Sequence, residues 1–171
     1  MLKEKKMKRI AIISSVLISF GPLMAGGNVS PVAPISEPVA HCHSDKVYIE
    51  ADRDLMWQDQ QYTDREDGAY KNNRSFGKAG TWPYAVKYCK RLDYAGYTDW
   101  RLPTSDELLH VHRIPGEVFD HFRGDDFWTS TPGEKNRFYV IYPADAYQNK
   151  RKPSEANYIR CVRCMAGERH P

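Results

Sequence analysis

The sequence predicts a small α+β domain tied by disulfides, and three observations carry that prediction. Trp82, Ala85, Val86, Cys89 and Leu92 recur at three- and four-residue steps, which is one face of an α-helix. The run from Gly96 to Leu109 compresses a stop, a short extended stretch and a helix start. Finally, the four cysteines all follow a segment that reads as an export signal, and exported cysteines pair.

The export signal is the first element in order. Lys3, Lys5, Lys6, Lys8 and Arg9 precede an apolar run from Ile10 to Leu23, and small residues follow at Ala25, Gly26 and Gly27. The run is short and broken by Ser14, Ser15, Ser19 and Pro22, so no stable membrane span is expected after cleavage. A periplasmic or secreted product follows. Five of the 25 Lys+Arg and one of the 22 Asp+Glu lie in residues 1–27, so the remainder carries 20 basic and 21 acidic residues. A net charge of −1 gives nucleic-acid binding no support. Pro31, Pro34 and Pro38 mark residues 28–40 as an extended linker, leaving 41–171 for one folded domain.

Within that domain, Val47 to Ile49 and Leu55 to Trp57 flank a polar turn and read as a hairpin. From Asp59 to Gly80 the chain is polar and reads as a solvated loop. Its acidic residues Asp64, Glu66 and Asp67 lack the ligand spacing of an EF-hand. Thr81 caps the first helix, with Pro83 in its first turn, and Gly96 follows as a left-handed stop. Pro103 forces extended geometry on Leu102, and Thr104 with Glu107 forms a capping box for a second helix over about 105–113. Pro115 and Gly116 open a loop that Phe119, Phe122 and Phe127 pin to the core. Strands are expected over 127–131 and 137–142, joined by the turn Pro132 to Asn136. A second loop covers 143–156, and Tyr158 to Arg163 closes the domain as a strand.

The run Ala95 to Leu109 (AGYTDWRLPTSDELL) resembles the signature of the secreted bacterial family that includes the C-terminal domain of the Legionella collagen-like adhesin. The likeness extends to Asp54–Asp59, to Trp82, Ala85, Tyr88, Cys89 and Leu92, to Phe127–Pro132 and to Tyr158–Arg163. Arg53 and Asp54 stand where the family often carries Thr-Gly. The family is distantly related to formylglycine-generating enzymes and C-type-lectin-like folds, so the resemblance implies a C-type-lectin-like domain with two helices, small antiparallel sheets and long loops. Four cysteines allow three pairings, and a Cys161–Cys164 bond is awkward because those positions face opposite ways on a strand. The resemblance implies Cys89 bonded to Cys161, which leaves Cys42 with Cys164.

Asp99, Arg101 and Glu107, together with Trp57, Trp82, Trp100 and Thr104, read as structural, since Arg-carboxylate forks hold loops in place. His41, Cys42, His43, Cys161 and Cys164 have ligand chemistry for zinc or copper, but paired cysteines are the preferred reading, so no metal or cofactor is expected. A copper or thiol oxidase like the formylglycine-generating enzymes is an alternative. It would need a thiol shortly before Cys161, and Ser154 to Asn157 supply none. The calcium-binding motifs of sugar-binding C-type lectins are absent, as are hydrolase and phosphate-loop motifs. The expectation is therefore an exported, non-catalytic binding module for a protein of the envelope or outside the cell: a secretion or pilus component, or a toxin that it inhibits. A calcium-independent, glycan-binding adhesin domain is the other binding alternative. The recognition residues are expected in the later loops: Arg123, Asp125, Asp126, Lys135, Arg137, Tyr147, Lys150, Arg151 and Lys152.

Overall fold

The computed structural model describes residues 45–165. The expected signal, linker and N-terminal His41, Cys42 and His43 lie outside the described residues. Within them the chain runs β1 (Val47–Glu50), a 3-10 turn (Ala51–Arg53), β2 (Leu55–Gln58), α1 (Asp64–Lys71), β3 (Ala79–Gly80), α2 (Trp82–Lys90) and α3 (Ser105–Val111). It continues through β4 (Phe127–Pro132), β5 (Phe138–Tyr142), β6 (Tyr147–Arg151), β7 (Asn157–Tyr158) and β8 (Val162–Cys164). The architecture is α+β. One sheet has the order β1-β2-β8 and the other β3-β7-β4-β5-β6.

The N-terminal hairpin forms as its sequence dictates, with Val47 opposite Gln58 and Glu50 opposite Leu55. Its turn closes through Asp54, which takes the left-handed conformation at φ 52°. Alternation along β2 sends Leu55 and Trp57 into one apolar cluster, with Leu108, Val111, Phe119, Phe127, Ile141 and Tyr158. Met56 enters a second cluster, with Ala85, Cys89, Trp100, Trp128, Val140, Ile159 and Cys161. This strand is buried on both faces because it lies between the two clusters.

Three helices are present among the described residues, not two. The segment expected to be a loop contains α1, whose N-terminus is a second capping box: Thr63 Oγ1 accepts from the Glu66 N–H, and Glu66 Oε2 accepts from the Thr63 N–H at 2.7 Å. Its inward residues are Ala69 and Glu66, so it shows no apolar stripe. Glu66 is buried because Lys78 is buried with it, Nζ to Oε1 2.9 Å, and because the Lys78 N–H donates to the same oxygen at 2.7 Å.

The second expected loop likewise contains a strand, β6. The closing strand is in fact two: β7 pairs in the larger sheet and β8 in the smaller. The break falls at Arg160, whose buried guanidinium donates to Gln58 O and Asp59 Oδ1 and so cannot sit in a ladder facing solvent. Thr81 precedes α2 without a side-chain cap bond. Gly96 does not end α2. With Ala95 it forms the tip of a tight turn in which Tyr94 and Tyr97 exchange main-chain bonds of 3.1 and 3.0 Å, both tip residues having positive φ.

Cys89 in α2 is bonded to Cys161 just before β8, as the resemblance implied. The second expected disulfide is not seen: Cys164 carries a free, exposed thiol, and Cys42 lies outside the described residues.

Candidate functional site

The residues expected to form a recognition surface fall into two groups. Arg123, Asp125, Asp126 and Arg151 join a closed network where α1 meets β7 and β6. Arg123 Nε donates to Asp67 Oδ1 at 3.0 Å, and the Tyr158 hydroxyl donates to the same oxygen at 2.8 Å. Burial alone would raise the Asp67 carboxyl, but these two hydrogen bonds outweigh it and hold it below its ordinary value. Tyr70 stacks on Tyr158, with centroids 4.7 Å apart, and donates to Asp125 Oδ1 at 3.1 Å. Burial, reinforced by Asp125, pushes the Tyr70 phenol up to about 12. Buried Asp126 accepts from Arg151 Nε at 2.7 Å. These charges hold elements together and leave little for a ligand.

Lys135, Arg137, Tyr147, Lys150 and Lys152 form the second group, around the β4–β5 turn and β6. Lys135 and Asn136 form the turn with φ of 55° and 53°. Arg137 and Lys152 are exposed. Lys150 Nζ lies 5.2 Å from the Tyr139 ring centroid and 3.8 Å from Glu134 Oε1. Tyr147 is 62% exposed.

β6 is the edge of its sheet and pairs only with β5 among the described residues, in unbroken register from Phe138–Arg151 to Tyr142–Tyr147. The main-chain direction along β5 is set by two bonds. Thr129 Oγ1 donates to Tyr139 O at 2.8 Å, and the Gly133 N–H donates to Arg137 O at 2.7 Å, so these carbonyls face β4. Phe138, Val140 and Tyr142 therefore face β6. Their partners Arg151, Asn149 and Tyr147 face back, while Gln148 and Lys150 turn their N–H and C=O groups outward. The Lys150 N–H is occupied by the neighbouring Asn149 side chain, Oδ1 at 2.7 Å.

Over residues 46–163 the chain matches the Lcl C-terminal domain. It belongs to this family. The match begins one residue before β1 and ends within β8, so it takes in both sheets. No curated protein matches the chain.

In this Lcl C-terminal domain the residues carrying the family likeness are framework. Trp57 is fully buried and its indole N–H donates to Glu50 Oε2 at 2.8 Å. Trp82 donates to Thr129 O at 2.9 Å and stacks on Phe138 with centroids 3.6 Å apart. The Trp100 indole N–H donates to Tyr97 O at 3.0 Å, fastening the turn described above. Asp99 and Arg101, two positions apart in the motif, take different partners. Arg163 Nε donates to Asp99 Oδ1 at 2.7 Å, which holds the Asp99 carboxyl below its ordinary value, and Arg101 grips Glu107. Thr104 and Glu107 form the expected capping box.

One feature of this domain had no signal in the sequence. A recess of about 530 Å³ opens between the first hairpin and the end of α3, lined by Tyr48, Glu50, Asp52, His110 and Arg113 among others. Glu50, buried in its wall, meets His110 Nδ1 at 2.6 Å. The two residues are 60 positions apart, so only the folded chain brings them together. Among the described residues no three His, Cys, Asp or Glu side chains converge as a metal site. Cys161, the position that matches the oxidase motif, is spent in the disulfide.

Proposed function

We propose that this chain is an exported, non-catalytic binding module of C-type-lectin-like architecture that recognises another protein in the envelope or outside the cell. Its recognition surface is the outer side of the five-stranded sheet, at β6 and the β4–β5 turn. The observation that carries the reading is Tyr147: a large aromatic side chain, 62% exposed, on a sheet edge unpaired among the described residues, with Lys150 on the same strand and Lys135, Arg137 and Lys152 on adjoining turns. Tyr and Arg are enriched at protein interfaces and among the residues that dominate their energy.

Export is supported by the basic and apolar start of the sequence and by the Cys89–Cys161 bond, since such bonds persist in oxidising compartments. The lectin-like architecture is supported by that same bond, which ties a helix to the closing segment as the family likeness implied.

The test compares immobilised wild-type domain with Tyr147→Ala and Lys150→Glu in capture from the native envelope, after crosslinking and mass spectrometry. A partner lost from both variants, at unchanged melting temperature, supports the reading. Equal recovery by all three proteins removes it.

A further inference from the structure

We propose that the partner engages this domain by adding an acidic, extended segment to the open edge of β6, so that its main chain pairs with Gln148 and Lys150. The inference rests on the protein-binding reading above and gives it a mechanism.

The outward groups of Gln148 and Lys150 recur two residues apart, the repeat that an added strand requires. Natural edge strands are usually blunted by shortness, proline, a bulge or charge. β6 uses only the last of these. It is five residues long, contains no proline and keeps a continuous register, whereas β4 and β5 shift register between Trp128 and Pro132. The Asn149 carboxamide sits on the Lys150 N–H, in the place a partner's carbonyl would take. A side chain bonded to the main chain of its own neighbour is displaced without unfolding anything.

Charge decides which strand fits. Lys150 lies on β6, and Lys135, Arg137 and Lys152 surround its C-terminal half. The acidic groups nearby include Glu134, 3.8 Å from Lys150, Asp145, whose Oδ1 accepts from the Tyr147 N–H at 3.1 Å, and Glu155, whose charge acts on Arg151. Arg151 is already neutralised by Asp126. A second copy of β6 would bring the two lysine-bearing edges together, and like charges facing each other across a strand pair are destabilising. An acidic strand gains from the same lysines and covers Tyr147 as a cross-strand neighbour.

The probe is a short, end-blocked synthetic peptide of alternating Glu and Val, with its Lys and Val counterpart as control, added to the full exported chain. Amide hydrogen exchange is read residue by residue and affinity by calorimetry. The expected result is slowed exchange at Gln148 and Lys150 with the acidic peptide only, in binding that weakens as salt rises. Lys150→Pro, which removes one outward N–H but no bond to β5, should weaken binding about tenfold or more beyond Lys150→Ala, which removes only the charge. Absence of protection at these two amides overturns the proposal even if the proline variant fails to fold. So do equal affinities of the proline and alanine variants, equal binding of the basic peptide, or protection of the edge by self-association seen in ultracentrifugation. If the envelope partner depends on Tyr147 yet binds Lys150→Pro as well as Lys150→Ala, strand addition fails and the protein-binding reading stands. If it depends on neither, both fail.

Discussion

Arg101 and Glu107 meet as a two-pronged ion pair, with Nη1 donating to Oε2 at 2.8 Å and Nη2 to Oε1 at 2.6 Å. Glu107 Oε2 also accepts the Thr104 N–H at 2.8 Å, so one carboxylate starts α3 and anchors the preceding extended stretch. Arg101 in turn exchanges two main-chain bonds of 2.9 Å with Val162. The motif is a junction between a helix and the smaller sheet.

Removing the two partners should therefore cost different amounts. Arg101 is partly exposed, so Arg101→Ala should lose about 1 kcal/mol, the scale of a partly screened ion pair. Glu107→Ala also loses the cap and should cost about 2–3 kcal/mol. Urea unfolding measures both. Equal costs would show that the cap contributes nothing, and loss of partner capture by Arg101→Ala at normal stability would make the junction part of the recognition site.

The disulfide has a defined energetic consequence. Cys89 and Cys161 are 72 residues apart, and replacing both by Ser should destabilise the domain by about 4 kcal/mol through the freed chain entropy. In peptide mapping without reduction, Cys89 and Cys161 should appear linked while Cys164 reacts with iodoacetamide in the native protein. A Cys164 that stays unreactive until reduction would contradict the free thiol.

His112 should make stability depend on pH. Burial, assisted by the nearby Arg160 charge, lowers its pKa from 6.5 to about 3, and its Nε2 is buried without a hydrogen-bond partner. Because the folded value is the lower one, the unfolded chain binds more protons between them. The stabilisation is complete above about pH 6.5 and is lost as pH falls toward 3, by at most about 1.4 kcal/mol per pH unit. His112→Leu should flatten that part of the curve while costing little at pH 8. An unchanged curve would show that another group sets it.

Asp54 tests the hairpin turn. At φ 52° a residue without a Cβ is favoured, so Asp54→Gly should be neutral or stabilising by up to about 1 kcal/mol. Asp54→Val places a β-branched side chain in the left-handed region and should cost about 1–2 kcal/mol. Melting curves of the two variants should bracket the wild type.

Local signals were legible wherever a short stretch settled its own conformation. The Thr104–Glu107 box, the apolar steps of α2 and the hairpin around Asp54 all follow from neighbours within a few residues. The second box, Thr63 with Glu66, uses the same chemistry. It was obscured because α1 buries a carboxylate rather than an apolar stripe, and its counter-ion Lys78 lies beyond the helix. β6 was obscured because an edge strand with charged residues shows little alternation.

The recognition residues divide in the same way. Composition alone placed Arg123, Asp125, Asp126 and Arg151 beside Lys135, Arg137, Tyr147, Lys150 and Lys152 as surface groups. Folding pairs the first four with residues up to 56 positions away and keeps the others on or near the turn and edge strand, and charge without position cannot distinguish the two groups.

The sequence by itself determined membership of the Lcl C-terminal domain family and the α+β class, because these rest on motifs and on short-range preferences of the backbone, while the Cys89–Cys161 pairing came only as an implication of the family likeness. Only the tertiary structure decided that Cys164 stays unpaired, that Tyr158 and Val162 belong to different sheets, and that Gln148 and Lys150 face outward. Those outcomes depend on which distant strands meet and in what register, and register is set by the packing of the whole core.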